Sequence, residues 1–192
     1  APIKKTDFHD RINNVQLSNV TILNENLRKY FRYNYSQSPY YKWIEEYIEK
    51  LMIQTNNINN LSNYNIICTN IALDMLGLEV EELLSSKIEK LNIDRNKKLI
   101  EICNKSNSFN YICGSGGRTY INEAEFNNSN INVIYYDYSK ISKTDIYNLN
   151  TYQNYSFLDF IAYNGEDVLK SIIIEEKFKQ IEKFKKGGFN CE

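Results

Sequence analysis

The stretch "NYICGSGGRTYINEAEF", Asn110–Phe126, indicates the fold class of this 192-residue chain. It opens with a short β-forming run, continues through a glycine-rich loop with an arginine, and ends in a short amphipathic segment. A second β-rich run, Ile131–Tyr136, follows at a distance that allows a right-handed crossover between parallel strands. The pattern predicts a strand, loop, helix, strand unit whose strands are Phe109–Cys113 and Ile131–Tyr136.

Helical periodicity dominates the rest of the chain. Apolar residues recur at helical spacing in Asn26–Tyr35, Pro39–Ile53, Tyr64–Met75 and Asp94–Lys105. Ser38-Pro39 predicts a cap and first-turn proline for the second helix, and Gly77 predicts the end of the third. Asn14–Leu17 favours a short strand. We therefore expect an α/β fold that is helix-rich, with a small and mostly parallel sheet, organised as a single domain over residues 1–192.

Composition excludes several function classes. Lys and Arg total 23 against 24 Asp and Glu, so there is no basic excess of the kind that nucleic-acid binding requires. His9 is the only histidine, and the four cysteines, which have no C-x-x-C spacing, are Cys68, Cys103, Cys113 and Cys191. We expect reduced thiols, no metal site and no cofactor. Neither a secretory signal nor a membrane-spanning apolar run is visible, which predicts a cytoplasmic protein without membrane insertion.

The glycine loop leaves two interpretations open. A Walker loop fails because Arg118-Thr119 follows Gly117, and the dinucleotide fingerprint is weak because Thr119 occupies its third glycine position. In one interpretation, backbone amides and Arg118 hold a phosphate, while Asp137 contacts a ribose hydroxyl. In the other, the glycines only permit a turn with positive φ, and Arg118 is a solvated charge.

Ser156 and Asp159 in "SFLDFIAYNG" also have two interpretations. They could form an active-site pair, but Ser-x-x-Asp ahead of an apolar run is typical of a capping box. Capping explains both residues, Asn164-Gly165 then ends the helix, and no catalytic base is evident. The sequence favours a structural cap.

Several segments, taken in order, resemble the WbqC-like protein family. The similar segments are "YICGSGGRTYI" (Tyr111–Ile121), "INVIYYDY" (Ile131–Tyr138), "YQNYSFLDFIAYNG" (Tyr152–Gly165), "APIKK" (Ala1–Lys5), "YSQSPYY" (Tyr35–Tyr41), "LGL" (Leu76–Leu78) and "DRNKKLIEIC" (Asp94–Cys103). The family's Gln-Pro-x-x-x-Pro segment has no counterpart before Ala1, and Cys113 stands where relatives usually have Ser. We therefore expect a WbqC-like domain that lacks the family's amino-terminal segment.

The resemblance implies a role in bacterial O-antigen or other surface-polysaccharide synthesis. One hypothesis is a transferase acting on a nucleotide-activated sugar or amino sugar. The residues expected to bind this substrate are Gly114, Ser115, Gly116, Gly117, Arg118, Tyr120, Asp137 and Tyr138, with no catalytic residue assigned. The alternative is a non-catalytic accessory module that uses aromatic-rich helices to bind a pathway enzyme. A homo-oligomer is a further expected assembly.

Overall fold

The computed structural model describes residues 2–7, 9–88, 94–136 and 156–175. Its helices are α1 (Val20–Tyr35), α2 (Tyr41–Thr55), α3 (Leu61–Met75), α4 (Arg95–Lys105), α5 (Glu123–Asn128) and α6 (Phe157–Asn164), and its strands are β1 (Asn110–Gly114) and β2 (Asn132–Tyr136). Residues 166–175 are also helical. The predicted helix-rich α/β fold with a small parallel sheet is confirmed. The described residues form two compact units, one holding residues up to Val80 together with 156–175, the other holding residues from Glu81 to 136.

The first unit is a helical assembly in which α2 packs against α1, α3 and α6. Local capping fixes where two of these helices begin: Asn19 accepts a hydrogen bond from the Ile22 amide at 2.9 Å, and Asn60 accepts one from the Asn63 amide at 3.0 Å. The apolar stripe of α2 lies in the middle of the core, where Ile44 and Leu51 are almost completely buried. Burial of this stripe supplies the main driving force for the packing of the helices.

A satisfied polar network crosses the same core. The Asn24 amide donates to the Thr55 hydroxyl at 2.8 Å, and the Tyr64 hydroxyl donates to the Asn24 amide oxygen at 2.8 Å. Thr55 in turn donates to the Leu51 carbonyl at 2.7 Å. The network joins α1, α2 and α3, and because its members are paired, it fixes their relative positions without leaving a buried polar group unsatisfied.

The second unit is organised around the parallel pair of β1 and β2. The register aligns Asn110 with Asn132 and Gly114 with Tyr136. The connection between the strands contains α5, whose Phe126 is completely buried and packs with Cys103 of α4 and with Ile131. Tyr111 of β1 lies against Phe126, with ring centroids 5.4 Å apart. This small apolar cluster holds α4 and α5 onto one face of the sheet.

Two local predictions are wrong. Helix α2 begins at Tyr41, not at Pro39, and has no side-chain cap, because the Ser38 hydroxyl donates backwards to the Tyr35 carbonyl at 2.7 Å. Asn14–Leu17 does not form a strand: Ile12–Asn14 is a 3-10 turn, and Gln16 and Leu17 each make only an isolated bridge, to Asn60 and Ile3 respectively.

Gly165 ends α6 in a backbone conformation that favours glycine, and a substitution there tests the packing of the first unit. Its φ is 84° and its ψ 166°, and a Cβ atom at this position would lie 2.8 Å from Cε1 of Tyr40. We expect Gly165→Ala to lower the free energy of unfolding by about 3 kcal/mol or more, through backbone strain and overlap together.

Gly77→Ala is the control for a positive φ without overlap, because Gly77 has a φ of 62° and a Cβ atom added to it would have no neighbour within 4 Å. The free energy of unfolding of Gly77→Ala should fall by roughly 1–2 kcal/mol, from backbone strain alone. The strain at position 165 is larger, because a φ of 84° with a ψ of 166° is nearly exclusive to glycine. Chemical denaturation of both variants gives the comparison. Equal losses would show that the contact with Tyr40 does not constrain position 165.

Candidate functional site

The glycine loop lies where the two parallel strands end. β1 finishes at Gly114, and Ser115–Thr119 immediately forms a 3-10 turn. Since Gly114 is paired with Tyr136 at the end of β2, the loop stands beside the carboxyl ends of both strands. This edge is where open α/β sheets commonly bind ligands.

Positive φ does not explain the glycines of the loop. Among the described residues, the glycines with positive φ are Gly77 and Gly165. Gly114, at the start of the turn, has φ −69° and ψ 169°, which any residue can adopt. The interpretation of this loop as a turn that needs left-handed glycines is therefore wrong.

Gly117 is required by close packing instead. The residue is buried, and a Cβ atom on it would lie 2.6 Å from the Cys113 Sγ and 3.2 Å from Cδ1 of Ile121. The last turn of the loop is thus folded against the side chain at the end of β1. Thr119 closes the same turn, because its hydroxyl donates to the Gly116 carbonyl at 2.8 Å.

Gly116 differs from its neighbour. It is exposed, and nothing lies within 4 Å of the position that a Cβ atom would occupy. Neither backbone conformation nor packing within the described residues requires a glycine here. The absence of a side chain leaves an exposed stretch of backbone that an external group can approach closely.

Arg118 is held against the sheet although its side chain is exposed. Its guanidinium carbon lies 4.0 Å from the ring centroid of Tyr135 in β2, which is the geometry of a cation–π contact. None of the ion pairs between described residues involves Arg118. The arginine is therefore an exposed cation whose position at the loop is set by the Tyr135 ring.

Tyr135 and Glu123 join Arg118 at this edge. Partial burial raises the pKa of the Tyr135 phenol, and its hydrogen bond to the Glu123 carboxylate raises it further. Glu123 is the first residue of α5, so the crossover brings it back toward β2. Sequence spacing does not single out either residue, because a tyrosine within a strand and a glutamate in a first helical turn both have ordinary structural roles.

Cys113 is a packing residue in this arrangement. Burial raises the pKa of its thiol, and Glu123 raises it as well, whereas Arg118 lowers it. Because burial is the largest effect, the thiol is predominantly protonated near neutral pH, and an activated thiolate nucleophile is not favoured.

The end of the loop is fixed by the first turn of α4. Arg95 lies over the ring of Tyr120, with 4.8 Å between the guanidinium carbon and the ring centroid. The Asn96 side chain donates to the Tyr120 carbonyl at 3.3 Å and accepts from the Asn122 amide at 3.0 Å. Tyr120 remains 40% exposed, so its ring is positioned and still accessible.

The remaining predicted site residues are distributed as follows. Ser115 is exposed at the start of the turn, in the same loop as Gly116 and Arg118. Asp137 and Tyr138 lie outside the described residues. The structure thus brings together the loop, Arg118 and Tyr120, and it adds Arg95, Asn96, Glu123 and Tyr135 around them.

Ser156 and Asp159 belong to the first unit and cap α6. The Ser156 hydroxyl accepts from the Leu158 amide at 3.1 Å, and the Asp159 carboxylate accepts from the Ser156 amide at 2.7 Å. Asp159 also accepts a hydrogen bond from the Tyr35 hydroxyl at the end of α1. Both side chains are therefore engaged in local structure, and Asp159 in addition ties α6 to α1.

The family model of the WbqC-like protein family matches residues 1–171. The chain belongs to the WbqC-like protein family. No curated protein and no solved structure matches it. The matched residues of this WbqC-like protein include both the glycine loop and the cap of α6. Within the described part of the chain, no helix has the length and apolar character needed to cross a membrane.

The packing of Gly117 against Cys113 is testable by compensating substitutions. We expect Gly117→Ala to lower the free energy of unfolding by about 1–3 kcal/mol, because the added methyl group overlaps the sulfur atom. The double variant Gly117→Ala/Cys113→Ala removes that sulfur and should be more stable than the sum of the two single changes predicts.

Gly116→Ala serves as the control for Gly117→Ala. Its methyl group meets open space, so its stability should stay within about 0.5 kcal/mol of the parent protein. Denaturant unfolding of the parent protein, of Gly117→Ala, of Cys113→Ala and of the double variant gives the coupling energy. Strict additivity of the Gly117 and Cys113 changes would contradict the packing assignment.

Proposed function

We propose that this WbqC-like protein is a cytoplasmic transferase of bacterial surface-polysaccharide synthesis. Its substrate would be a nucleotide-activated sugar or amino sugar bound at the glycine loop. The observation that carries the proposal is Gly116, an exposed glycine that nothing among the described residues requires, next to an arginine held in place by Tyr135. Family membership is the independent support for the pathway.

The diphosphate would lie against the start of the 3-10 turn. Gly114 holds the N-cap position and has no side chain, so it accepts no capping hydrogen bond from the amides of the turn. Backbone amides at the start of such a turn carry partial positive charge and can donate to phosphate oxygens when no Cβ atom keeps the anion away. Arg118 would add a charge-assisted contact from the side of β2.

The sugar or base would occupy the space around the loop. Tyr120 offers a partly exposed aromatic ring that Arg95 holds in place. Asp137 and Tyr138 follow directly after β2 in the chain, and we propose them for the ribose and the sugar or base. The reaction would proceed by positioning and by stabilisation of the diphosphate leaving group, which needs no covalent nucleophile.

The alternative function is an accessory module of the same pathway, which binds a partner enzyme or a second copy of the chain. Exposed tyrosines on the first unit favour it, since Tyr33 is 89% and Tyr30 55% exposed on α1, and Tyr163 is 51% exposed on α6. Aromatic residues are enriched in protein interfaces. This alternative predicts no affinity for nucleotide sugars.

A ligand panel and two loop variants test the transferase proposal. We expect thermal shifts with uridine, guanosine or thymidine diphosphate sugars to identify a ligand, because one present at about 100 times its dissociation constant adds about 2.7 kcal/mol of stability. Gly116→Val should then abolish binding in calorimetric titration while leaving the unfolding midpoint nearly unchanged. Arg118→Ala should weaken binding by about 1.5–3 kcal/mol.

Lys105→Ala, which removes an exposed positive charge at the far end of α4, is the control for Arg118→Ala. It should bind with the parent affinity. If both Gly116→Val and Arg118→Ala bind with the parent affinity, the loop is not part of the binding site. If no nucleotide sugar in the panel shifts the unfolding temperature, the accessory alternative is favoured.

A further inference from the structure

A second candidate site lies in the first unit, in residues that the glycine-loop proposal does not use. A groove of about 340 Å³ separates the start of α2 from the end of α6 and the beginning of the helical residues 166–175. Its lining combines two aromatic residues, Tyr40 and Trp43, with polar side chains. A volume of this size is at the lower end of the range for small-molecule sites, about 300–1,000 Å³.

The first aromatic wall of the groove is fixed by backbone packing. The Tyr40 ring lies directly against Gly165, and the Tyr40 amide donates to the Ala162 carbonyl at 3.2 Å. The side chain nevertheless remains 46% exposed. Tyr40 is thus fixed by its contacts with Gly165 and Ala162, while a large part of its surface faces solvent.

Trp43 is immobilised in a different way. Its ring is nearly parallel to that of buried Tyr47, at an angle of 5° and a centroid distance of 5.9 Å. Phe157 meets it edge-on, at 90° and 6.5 Å. These contacts hold the indole rigidly at the groove, so a ligand that packs on it would order little additional structure.

The polar lining favours hydrogen bonding over binding of an anion. Glu46 lies on α2 and pairs with Lys50 at 3.0 Å. Glu166 lies on the opposite side of the groove and pairs with Lys170 at 3.6 Å. Asn164 lines the groove between them, and its amide nitrogen donates to the Phe160 carbonyl at 3.0 Å. The lining holds three carboxylates, those of Glu46, Glu166 and Asp167, and one cation, Lys42. Lysines outside the lining pair with these carboxylates, so the groove has no positive excess that would hold phosphate or an acidic peptide.

From this lining we infer that the groove binds a small neutral saccharide. A sugar ring presents C–H bonds, which pack on the negative face of an aromatic ring, and hydroxyl groups, which donate to carboxylate and amide oxygens. Tyr40 and Trp43 supply the aromatic surface, and Glu46, Asn164 and Glu166 supply the acceptors. The site stands independently of the nucleotide-sugar site, because it depends on other residues in the other unit.

Intrinsic fluorescence gives a direct test, since Trp43 is the only tryptophan of the chain. The full chain is titrated with the methyl glycosides of glucose, galactose and N-acetylglucosamine and with lactose, up to about 10 mM, ten times the dissociation constant of a weak millimolar site. We expect a saturable change in emission with at least one of them. No response to any of the four sugars would overturn the inference.

Glu46→Ala and Glu45→Ala are a matched pair of variants. Both glutamates are exposed and adjacent on α2, but only Glu46 lines the groove. Loss of a hydrogen bond to a charged group should weaken sugar binding about tenfold or more in Glu46→Ala and leave Glu45→Ala unchanged. Equal affinities in the two variants would place the sugar elsewhere.

Tyr40→Ala removes the exposed aromatic wall and should also weaken the response, provided that its unfolding midpoint shows a folded protein. If it does not fold, the comparison of Glu46→Ala with Glu45→Ala decides alone. An equal emission change on addition of N-acetyl-trialanine amide, a peptide without charged ends, would show that the groove accepts peptides, and this outcome would contradict the assignment to saccharides.

Discussion

The parallel pairing of β1 with β2 is the constraint from which the candidate site follows. Parallel strands need a crossover connection, and here that connection contains α5. The completely buried Phe126 of α5 packs beside Ile131 and anchors the helix to the sheet. Both strands then end at the same edge. That edge receives the glycine loop from β1 and Tyr135 from β2, so that Arg118 can lie over the tyrosine ring.

Much of this architecture is predictable from sequence, because periodicity and local end signals depend on neighbouring residues. The strand, loop, helix, strand unit, the helices and the end of α3 at Gly77 follow from such signals. The predictions that are wrong concern residues whose partners are distant in sequence or compete with the expected one. Leu17 forms an isolated bridge with Ile3 and donates its amide to the Asn59 carbonyl, both distant in sequence. The Ser38 hydroxyl bonds to the Tyr35 carbonyl where a helix cap was expected.

In the candidate site, too, local patterns are predictable from sequence and long-range contacts are not. Glycine spacing locates the loop, and the Ser-x-x-Asp spacing locates a cap that the structure contains. The reason for Gly117 is visible only in three dimensions, because it depends on the Cys113 Sγ at the end of the preceding strand. The crossover brings Glu123 to the loop, the strand register places Tyr135 beside it, and α4 supplies Asn96. None of these placements follows from a local sequence pattern.

We propose that exposed backbone at the start of the loop receives the phosphate groups of a nucleotide sugar. Residue-resolved amide hydrogen exchange, measured with and without the bound ligand, reports on the backbone N–H groups that would donate to the phosphates. We expect slower exchange at Ser115, Gly116 and Gly117 when ligand is bound, because donation to an anion protects these amides, with no change in α1. Saturating binding that leaves exchange at these three amides unchanged would show that the phosphate groups do not bind at the loop.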